Sequence, residues 1–323
     1  MTAKPRFALL GAAGYVAPRH MRAIRDVGGE LVAAFDPSDS VGVIDSYFPQ
    51  ADFFTEFERF DRHVDKLRRR GSGVTHVSIC SPNYLHDAHV RFALRSEADA
   101  ICEKPLVLNP WNLDGLEEME RSTGRKVRTI LQLRLHPAIL ALKRKIGGEA
   151  GRRHKVDLTY ITSRGRWYDI SWKGDERKSG GIATNIGVHF FDMLSFIFGP
   201  VRGRPVHLRE PRRSAGFLEL EKADVRWFLS VDASDLPAGI GAEQKTFRSV
   251  TVDGEEIEFS QGFTDLHTES YRHILSDAGF GLSDVRPSVE LVSAVRTAAL
   301  EPNAGERHPF LSRERGGLKA VGE

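Results

Sequence analysis

Two short segments carry side chains suited to moving a proton beside an oxidisable carbon. The first is Cys102-Glu103-Lys104-Pro105, which follows an apolar run that reads as a buried strand. Pro105 restrains the chain after the lysine. A lysine held there can stabilise a developing alkoxide as an ammonium, or act as a base if its pKa is depressed. A solvated surface lysine would carry the same sequence. The second is Ser179-Gly180-Gly181-Ile182-Ala183-Thr184-Asn185-Ile186-Gly187-Val188-His189-Phe190-Phe191-Asp192. Asn185 and His189 are four apart on a helical pattern and so share one face. Asp192, three residues further on, is placed to orient the imidazole. A neutral imidazole is a competent base near pH 7. A satisfied core histidine fits the same pattern.

A third segment, Gly11-Ala12-Ala13-Gly14-Tyr15-Val16-Ala17, lies between a strand pattern and a helix pattern. Small residues there permit a sharp turn and close approach to a pyrophosphate, and the helix start offers N–H groups and a positive dipole end. The spacing is G-x-x-G-x-x-A, one residue longer between the first two glycines than G-x-G-x-x-G. Asp36 ends the next apolar run, 22 residues after Gly14. A carboxylate at that place takes the adenosine ribose hydroxyls and repels a 2′-phosphate, which favours NAD over NADP. Asp36 before Pro37 is also an ordinary turn pair. The third strand pattern ends in Ser81-Pro82-Asn83, with His86 one turn on. Strand ends on that edge face the ligand crevice. The expected cofactor contacts are therefore Gly11, Gly14, Tyr15, Val16, Ala17, Asp36, Ser81, Asn83, His86, Glu103 and Lys104. Asn83 suits a helix cap equally well.

The elements that must position these residues are legible as alternating patterns. Apolar runs at 7–10, 31–35, 74–80, 98–102 and 127–131 alternate with helical spacing at 18–27, 56–70, 84–95 and 110–122. Strands separated by helices predict parallel βαβ units, an α/β, Rossmann-type doubly wound sheet. Beyond about residue 150 strand candidates follow one another, at 155–163, 205–209, 216–220, 225–231, 247–252 and 255–259. One apolar helix at 186–198 interrupts them, and helices at 266–278 and 289–300 follow. That order predicts a C-terminal α+β domain with an open, mainly antiparallel sheet and helices on one face. The expected division is 1–131 for the cofactor and 132–323 for substrate binding and oligomerisation.

Composition narrows the function classes. The chain has 46 Lys and Arg against 44 Asp and Glu, a balance that gives no reason to expect a nucleic-acid partner. Only residues 164–178 interleave basic and aromatic side chains. Cys80 and Cys102 sit in apolar runs, so neither a disulfide scaffold nor a zinc site is expected. The apolar stretch near the start is short for a signal peptide, and apolar runs stop short of a membrane span. These readings predict a cytoplasmic protein with no membrane partner and no metal.

Taken together, the glycine turn followed by His20, the Glu103-Lys104-Pro105 strand end and the Gly180-Gly181…Asn185-x-Gly187-x-His189-x-x-Asp192 helix resemble the Gfo/Idh/MocA oxidoreductases. The resemblance covers nearly the whole chain. It implies an NAD-dependent dehydrogenase in which Lys104 and His189 flank the carbon that gives up hydride, with a cis peptide before the proline. Asn185 stands where many members have Asp. An amide takes no proton, so base duty moves to His189 or Lys104. The segment 164–181 further resembles UDP-N-acetylglucosaminuronate 3-dehydrogenases, as do residues 15–20, 54–63 and 263–268. This implies a UDP-linked sugar acid as substrate, oxidised at C3 for bacterial surface polysaccharide. Arg164, Lys173 and Lys178 would meet its anionic groups, Trp167, Tyr168 and Trp172 would stack on uracil or sugar faces, and Ser171, Asn185 and His189 would line the rest. Relatives also imply 2-oxoglutarate as reoxidant of NADH and a homotetramer. An inositol or free-sugar dehydrogenase of the same family, and a non-catalytic NAD-sensing protein, are the alternatives.

Overall fold

The computed structural model describes residues 4–149, 151–239, 244–258 and 265–311. The chain forms two compact units, residues 1–137 with 262–289 and residues 138–261 with 290–323. In the first unit β1 (Arg6–Leu10), β2 (Glu30–Phe35), β3 (Asp52–Phe54), β4 (His76–Ile79), β5 (Asp99–Cys102) and β6 (Val127–Thr129) form one sheet, ordered β3-β2-β1-β4-β5-β6. Every neighbouring pair is parallel. Helices α1 (Ala17–Asp26), α2 (Phe57–Arg69), α3 (His86–Arg95) and α4 (Pro110–Thr123) fall between the strands, as the alternation predicts. Successive β1 residues feed different cores. Phe7 and Leu9 pack with Met21 and Ile24 of α1, whereas Ala8 and Leu10 pack with Phe60 and Val64 of α2. A strand buried on both faces reads as a continuous apolar run, and that made β1, β2, β4 and β5 visible in sequence. β3 escaped because it has three residues and none is buried.

The second unit begins within α5 (Pro137–Gly148), a helix the sequence reading did not place. Its strands are β7 (His154–Thr162), β8 (Val201–Gly203), β9 (Val206–Arg209), β10 (Arg213–Leu220), β11 (Ala223–Ser230), β12 (Thr246–Val252) and β13 (Glu255–Glu256). The sheet runs β13-β12-β7-β11-β10-β8, with β9 also on β10. All pairs are antiparallel except β7 with β11. The parallel pair arises because the long connection between them, holding α6 (Trp167–Ile170), α7 (Glu176–Ser179) and α8 (Val188–Phe198), returns the chain to the same end of the sheet. Phe259, at the end of one expected strand, and Phe263 and Thr264 of the substrate-enzyme resemblance lie outside the described residues.

The apolar helix is longer than its periodicity suggests. The stretch Glu176–Phe198, α7 and α8 joined through a left-handed Gly180, is 23 residues long and apolar enough by composition to cross a membrane. Yet 67% of its most apolar window is buried inside the protein, so the run is spent on the core. Phe191, Leu194 and Phe198 are wholly buried.

The chain then contributes α9 (Leu266–Leu275) and α10 (Leu282–Thr297). Tyr271 and Ile274 of α9 join the α1 side of the first unit's core, and Leu282, Val285 and Val289 of α10 join the α2 side. The break at 131/132 expected from sequence makes no provision for this return. α10 also starts seven residues earlier than its periodicity suggests, with Pro287 inside it. Asp284 explains the early start, because its carboxylate accepts from the Gly281 N–H at 2.8 Å and closes the first turn.

Candidate active site

The glycine turn sits at the carboxyl end of β1. Gly11 and Ala12 donate to the Phe35 carbonyl at 2.9 and 3.1 Å, tying the turn to the end of β2. Gly11 has φ +91°, and a Cβ there would lie 2.6 Å from the Ser81 nitrogen. Glycine is therefore required twice over, for conformation and for room. Asp36 is half-buried, and its two oxygens accept from the N–H groups of Ala13 (3.0 Å) and Ser38 (2.9 Å). The carboxylate so fixed at the end of β2 suits a ribose. Ala17 is buried, Val16 is half-buried, and Tyr15 is 90% exposed with the Arg19 guanidinium over its ring. The extra residue in the motif is taken up as a compact turn in which Gly14 donates to Gly11 and Ala17 to Gly14.

Beyond β4 the expected ligand contacts are largely committed within the protein. The Ser81 hydroxyl bonds His89 Nδ1 at 2.8 Å. His86 is buried, with Nδ1 2.7 Å from the Pro105 carbonyl and Nε2 2.8 Å from the Ser81 carbonyl. A neutral ring carries a single N–H, so His86, read from sequence as a cofactor contact, donates to one of these two carbonyls and lies between the strand end after β4 and the turn after β5. Asn83, also buried, opens a short 3-10 turn before α3. Burial lowers the pKa of His20, His76 and His86, and burial followed by repulsion from His86 pushes His89 to about 4.

These histidines set a pH dependence. In the unfolded chain each protonates near 6.5, but in the fold each stays neutral further down. The unfolded state therefore binds more protons below pH 6.5, and stability falls as pH drops from there toward 4. The melting temperature is expected to be level above pH 7 and to decline below pH 6, with His89 accounting for roughly 3 kcal/mol of the loss. Thermal unfolding across pH should be shallower in His89→Asn, which keeps an acceptor for Ser81. An unchanged slope would remove His89 from the account.

After β5 comes Glu103-Lys104-Pro105, with a cis peptide between Lys104 and Pro105. Lys104 is half-buried and Glu103 buried. Glu103 Oε1 lies 3.1 Å from His20 Nε2 and 2.9 Å from His267 Nε2, and Oε2 accepts from the Lys104 N–H at 3.3 Å. His20 Nδ1 is 2.8 Å from the Tyr271 hydroxyl, itself 2.6 Å from the Ser78 hydroxyl. Burial alone would raise the Glu103 carboxyl, but hydrogen bonds from His20 and His267 hold it well below the usual range. Glu103, expected on the cofactor, is the centre of an internal network. His267 was visible only as part of a resemblance, and Tyr271 and Ser78 gave no signal.

In the second unit Asn185 and His189 do share a face. Between Ile182 and Leu194 they are the two residues not fully buried. Residues Ala183–Gly187 form a π turn, a widening often found at functional sites. Asn185 donates to the Tyr168 hydroxyl at 3.1 Å. Tyr168 is 2% exposed, so its ring is not available to stack on a ligand. It positions Asn185 instead, taking one of the two amide N–H groups. Burial raises the Tyr168 pKa and keeps the hydroxyl neutral. Trp167 is 52% exposed, and Lys173 Nζ sits 4.1 Å from the Trp172 ring centre. Burial and then Arg164 lower the Lys173 pKa. Ser171 shapes the loop, its hydroxyl donating to the Tyr168 carbonyl and accepting from the Lys173 N–H. Lys178 lies 4.0 Å from Asp175. Arg212, missed in sequence, pins this loop through Asp169 and the Arg164 carbonyl. A cavity of about 220 Å³ lies here, lined by Tyr168, Lys173, Gly180, Gly181, Arg209 and Arg296.

Comparison with known proteins agrees with this geometry. Residues 5–130 match the NAD-binding Rossmann domain of an oxidoreductase family, and residues 143–231 match its C-terminal α/β domain. The WlbA (WbpB) dehydrogenase of Thermus thermophilus, solved in complex with NAD and α-ketoglutarate, is 54% identical, with TM-score 0.91 over 95% of this chain and 100% of that one. The same enzyme has been solved with NAD and UDP-GlcNAcA. The WlbA dehydrogenase of Bordetella pertussis shares the fold at 18% identity, with TM-score 0.74 over 91% of this chain and 95% of that one. Inositol 2-dehydrogenase of Rhizobium meliloti is 28% identical over 60% of this chain, a match spanning 55% of that enzyme. The chain belongs to the Gfo/Idh/MocA family of NAD-binding oxidoreductases.

Proposed function

We propose that the protein oxidises the C3 hydroxyl of UDP-N-acetylglucosaminuronic acid to the 3-keto sugar, with NAD as hydride acceptor. The observation that carries this reading is the 54% identity, across the full length of the other chain, with a dehydrogenase solved with NAD and, separately, with UDP-GlcNAcA. The residues fit the cofactor. Gly11 leaves no room for a side chain at the turn, and Asp36 is fixed at the end of β2 where a ribose is held and a 2′-phosphate repelled. Gly11, Gly14, Val16, Ala17 and Asp36 would hold it. NAD, when bound, supplies the acceptor for the hydrogen leaving C3 with its electron pair.

The chain's own residues handle the proton and the charge. His189 takes the hydroxyl proton as neutral imidazole, and Lys104 stabilises the alkoxide as ammonium. Asn185, with its amide nitrogen on Tyr168, keeps its oxygen for a sugar hydroxyl. Arg164, Lys173 and Lys178 face the carboxylate and pyrophosphate, while Trp167 and Trp172 provide apolar faces for the sugar or uracil. We place the enzyme in the cytoplasm, as a homotetramer supplying surface-polysaccharide synthesis, with 2-oxoglutarate as the second substrate that returns NADH to NAD.

Nicotinamide absorbance with a panel of UDP-sugars, with and without 2-oxoglutarate, tests this. UDP-N-acetylglucosaminuronate should be turned over about a hundredfold more efficiently than the free sugar acid, because binding energy from the nucleotide is spent at the reacting carbon. The match to inositol 2-dehydrogenase favours a second reading, a free-sugar dehydrogenase. Equal turnover of myo-inositol or free sugar would select it.

A further inference from the structure

Glu103, His20, His267, Tyr271 and Ser78 are all buried in the first unit, and Glu103 links the cluster to the Lys104 N–H. Their bonds admit one consistent direction. An ionised carboxylate only accepts, so both histidines must donate from Nε2 to Glu103 Oε1, at 3.1 and 2.9 Å. His20 with its proton on Nε2 has a bare Nδ1, which accepts the Tyr271 hydroxyl proton at 2.8 Å. The Tyr271 oxygen then accepts from Ser78 at 2.6 Å. Every donor points toward Glu103. The remaining carboxylate oxygen, Oε2, accepts from the Lys104 backbone N–H.

The three atoms His20 Nε2, His267 Nε2 and Glu103 Oε1 are also close enough together to hold a metal ion. Without an ion the same three atoms satisfy one another by hydrogen bonds alone, each Nε2 donating to Oε1.

We infer that His267 and Tyr271 are positioning residues for Lys104: they orient Glu103, and Glu103 fixes the backbone of the lysine. His267 supplies half of the donation to Oε1. Tyr271 holds His20 Nδ1 at 2.8 Å and so keeps the ring in the orientation from which Nε2 supplies the other half. Neither residue touches the reacting atoms, and each acts through Glu103. The inference rests on Lys104 serving the proposed oxidation. A few tenths of an ångström in the turn moves the ammonium relative to the alkoxide it stabilises, and displacements of that order cost catalysis steeply.

The test uses the full chain, with His267→Ala, His267→Gln and Tyr271→Phe beside the wild type. In His267→Ala, kcat should fall by about 10²-fold while KM for NAD and for the UDP-sugar stays within about twofold. His267→Gln restores an N–H donor and should recover most of the loss. Tyr271→Phe keeps the ring and its packing and should lose about tenfold in kcat. Amide exchange of the peptide 102–106, read by mass spectrometry without substrate, should quicken in His267→Ala and Tyr271→Phe and not in His267→Gln. That readout stands even if the wild type turns over no UDP-sugar, an outcome that would overturn the proposed function alone. Wild-type kcat and exchange in both His267→Ala and Tyr271→Phe would overturn the positioning role. So would a parallel loss in His267→Gln, or a stoichiometric metal in the purified wild type that His267→Ala lacks.

Discussion

Lys104→Ala should lower kcat on the UDP-sugar by about 10³-fold or more while leaving the affinity for NAD within about threefold. The lysine ends β5 on a turn that Glu103 holds and His86 flanks, so removing its side chain leaves the turn anchored. What is lost is the ammonium. A charge-stabilising donor and a proton carrier are each worth about 10²–10⁴-fold. His189→Asn should show a loss of the same size, and the double variant should be little worse than either single one, because groups that act as a unit are not additive. Stopped turnover together with equilibrium titration of NAD separates the effects. If NAD affinity drops a hundredfold and the bound complex turns over normally, Lys104 is a cofactor contact and the chemistry passes to His189.

Gly11→Ala should abolish NAD binding and destabilise the protein by several kcal/mol. The added methyl would lie 2.6 Å from the Ser81 nitrogen and 2.7 Å from the Cys80 carbonyl carbon, both backbone atoms of the segment after β4. Backbone cannot swing aside as a side-chain tip can, so β1 and β4 would have to part at their carboxyl ends. The φ of +91° adds roughly 1–3 kcal/mol of strain for any residue with a Cβ. Gly124→Ala is the control. Its φ is +67°, but nothing lies within 4 Å of where its methyl would stand, and it should cost only about 1 kcal/mol. Thermal unfolding and NAD titration of both variants check the contrast. Normal NAD affinity in Gly11→Ala would show that the turn can open without cost.

How far the sequence revealed this architecture depends on the reach of each interaction. The parallel sheet was legible because its central strands are apolar on both faces and alternate with helices whose buried residues recur every three or four positions. Asn185 and His189 were legible as a pair because four residues on a helix bring side chains to one face, and the π turn does not undo that. Tyr168 was misread because an aromatic among basic residues looks the same whether its ring is out or, as here, folded under the loop. The internal partners of Glu103 and His86 were invisible for a related reason. A charged or polar residue at a strand end is equally suited to a ligand or to a buried partner, and the partners lie far away in sequence. His267 meets Glu103 across 164 residues, and Tyr271 meets His20 across 251. No periodicity spans such distances.

That long reach has a consequence for how the chain is made. A ribosome delivers the six parallel strands in one stretch that ends at Thr129. At that moment Glu103 Oε1 has only His20 to accept from, His20 lacks the hydroxyl that holds its other ring nitrogen, and the packing surface of α1 that α9 will cover is bare. The missing pieces emerge only after the whole of the second sheet has been synthesised. The unit translated first is therefore completed only by residues 262–289, after the second sheet has emerged, and the nascent lysine waits for them to acquire its fixed place.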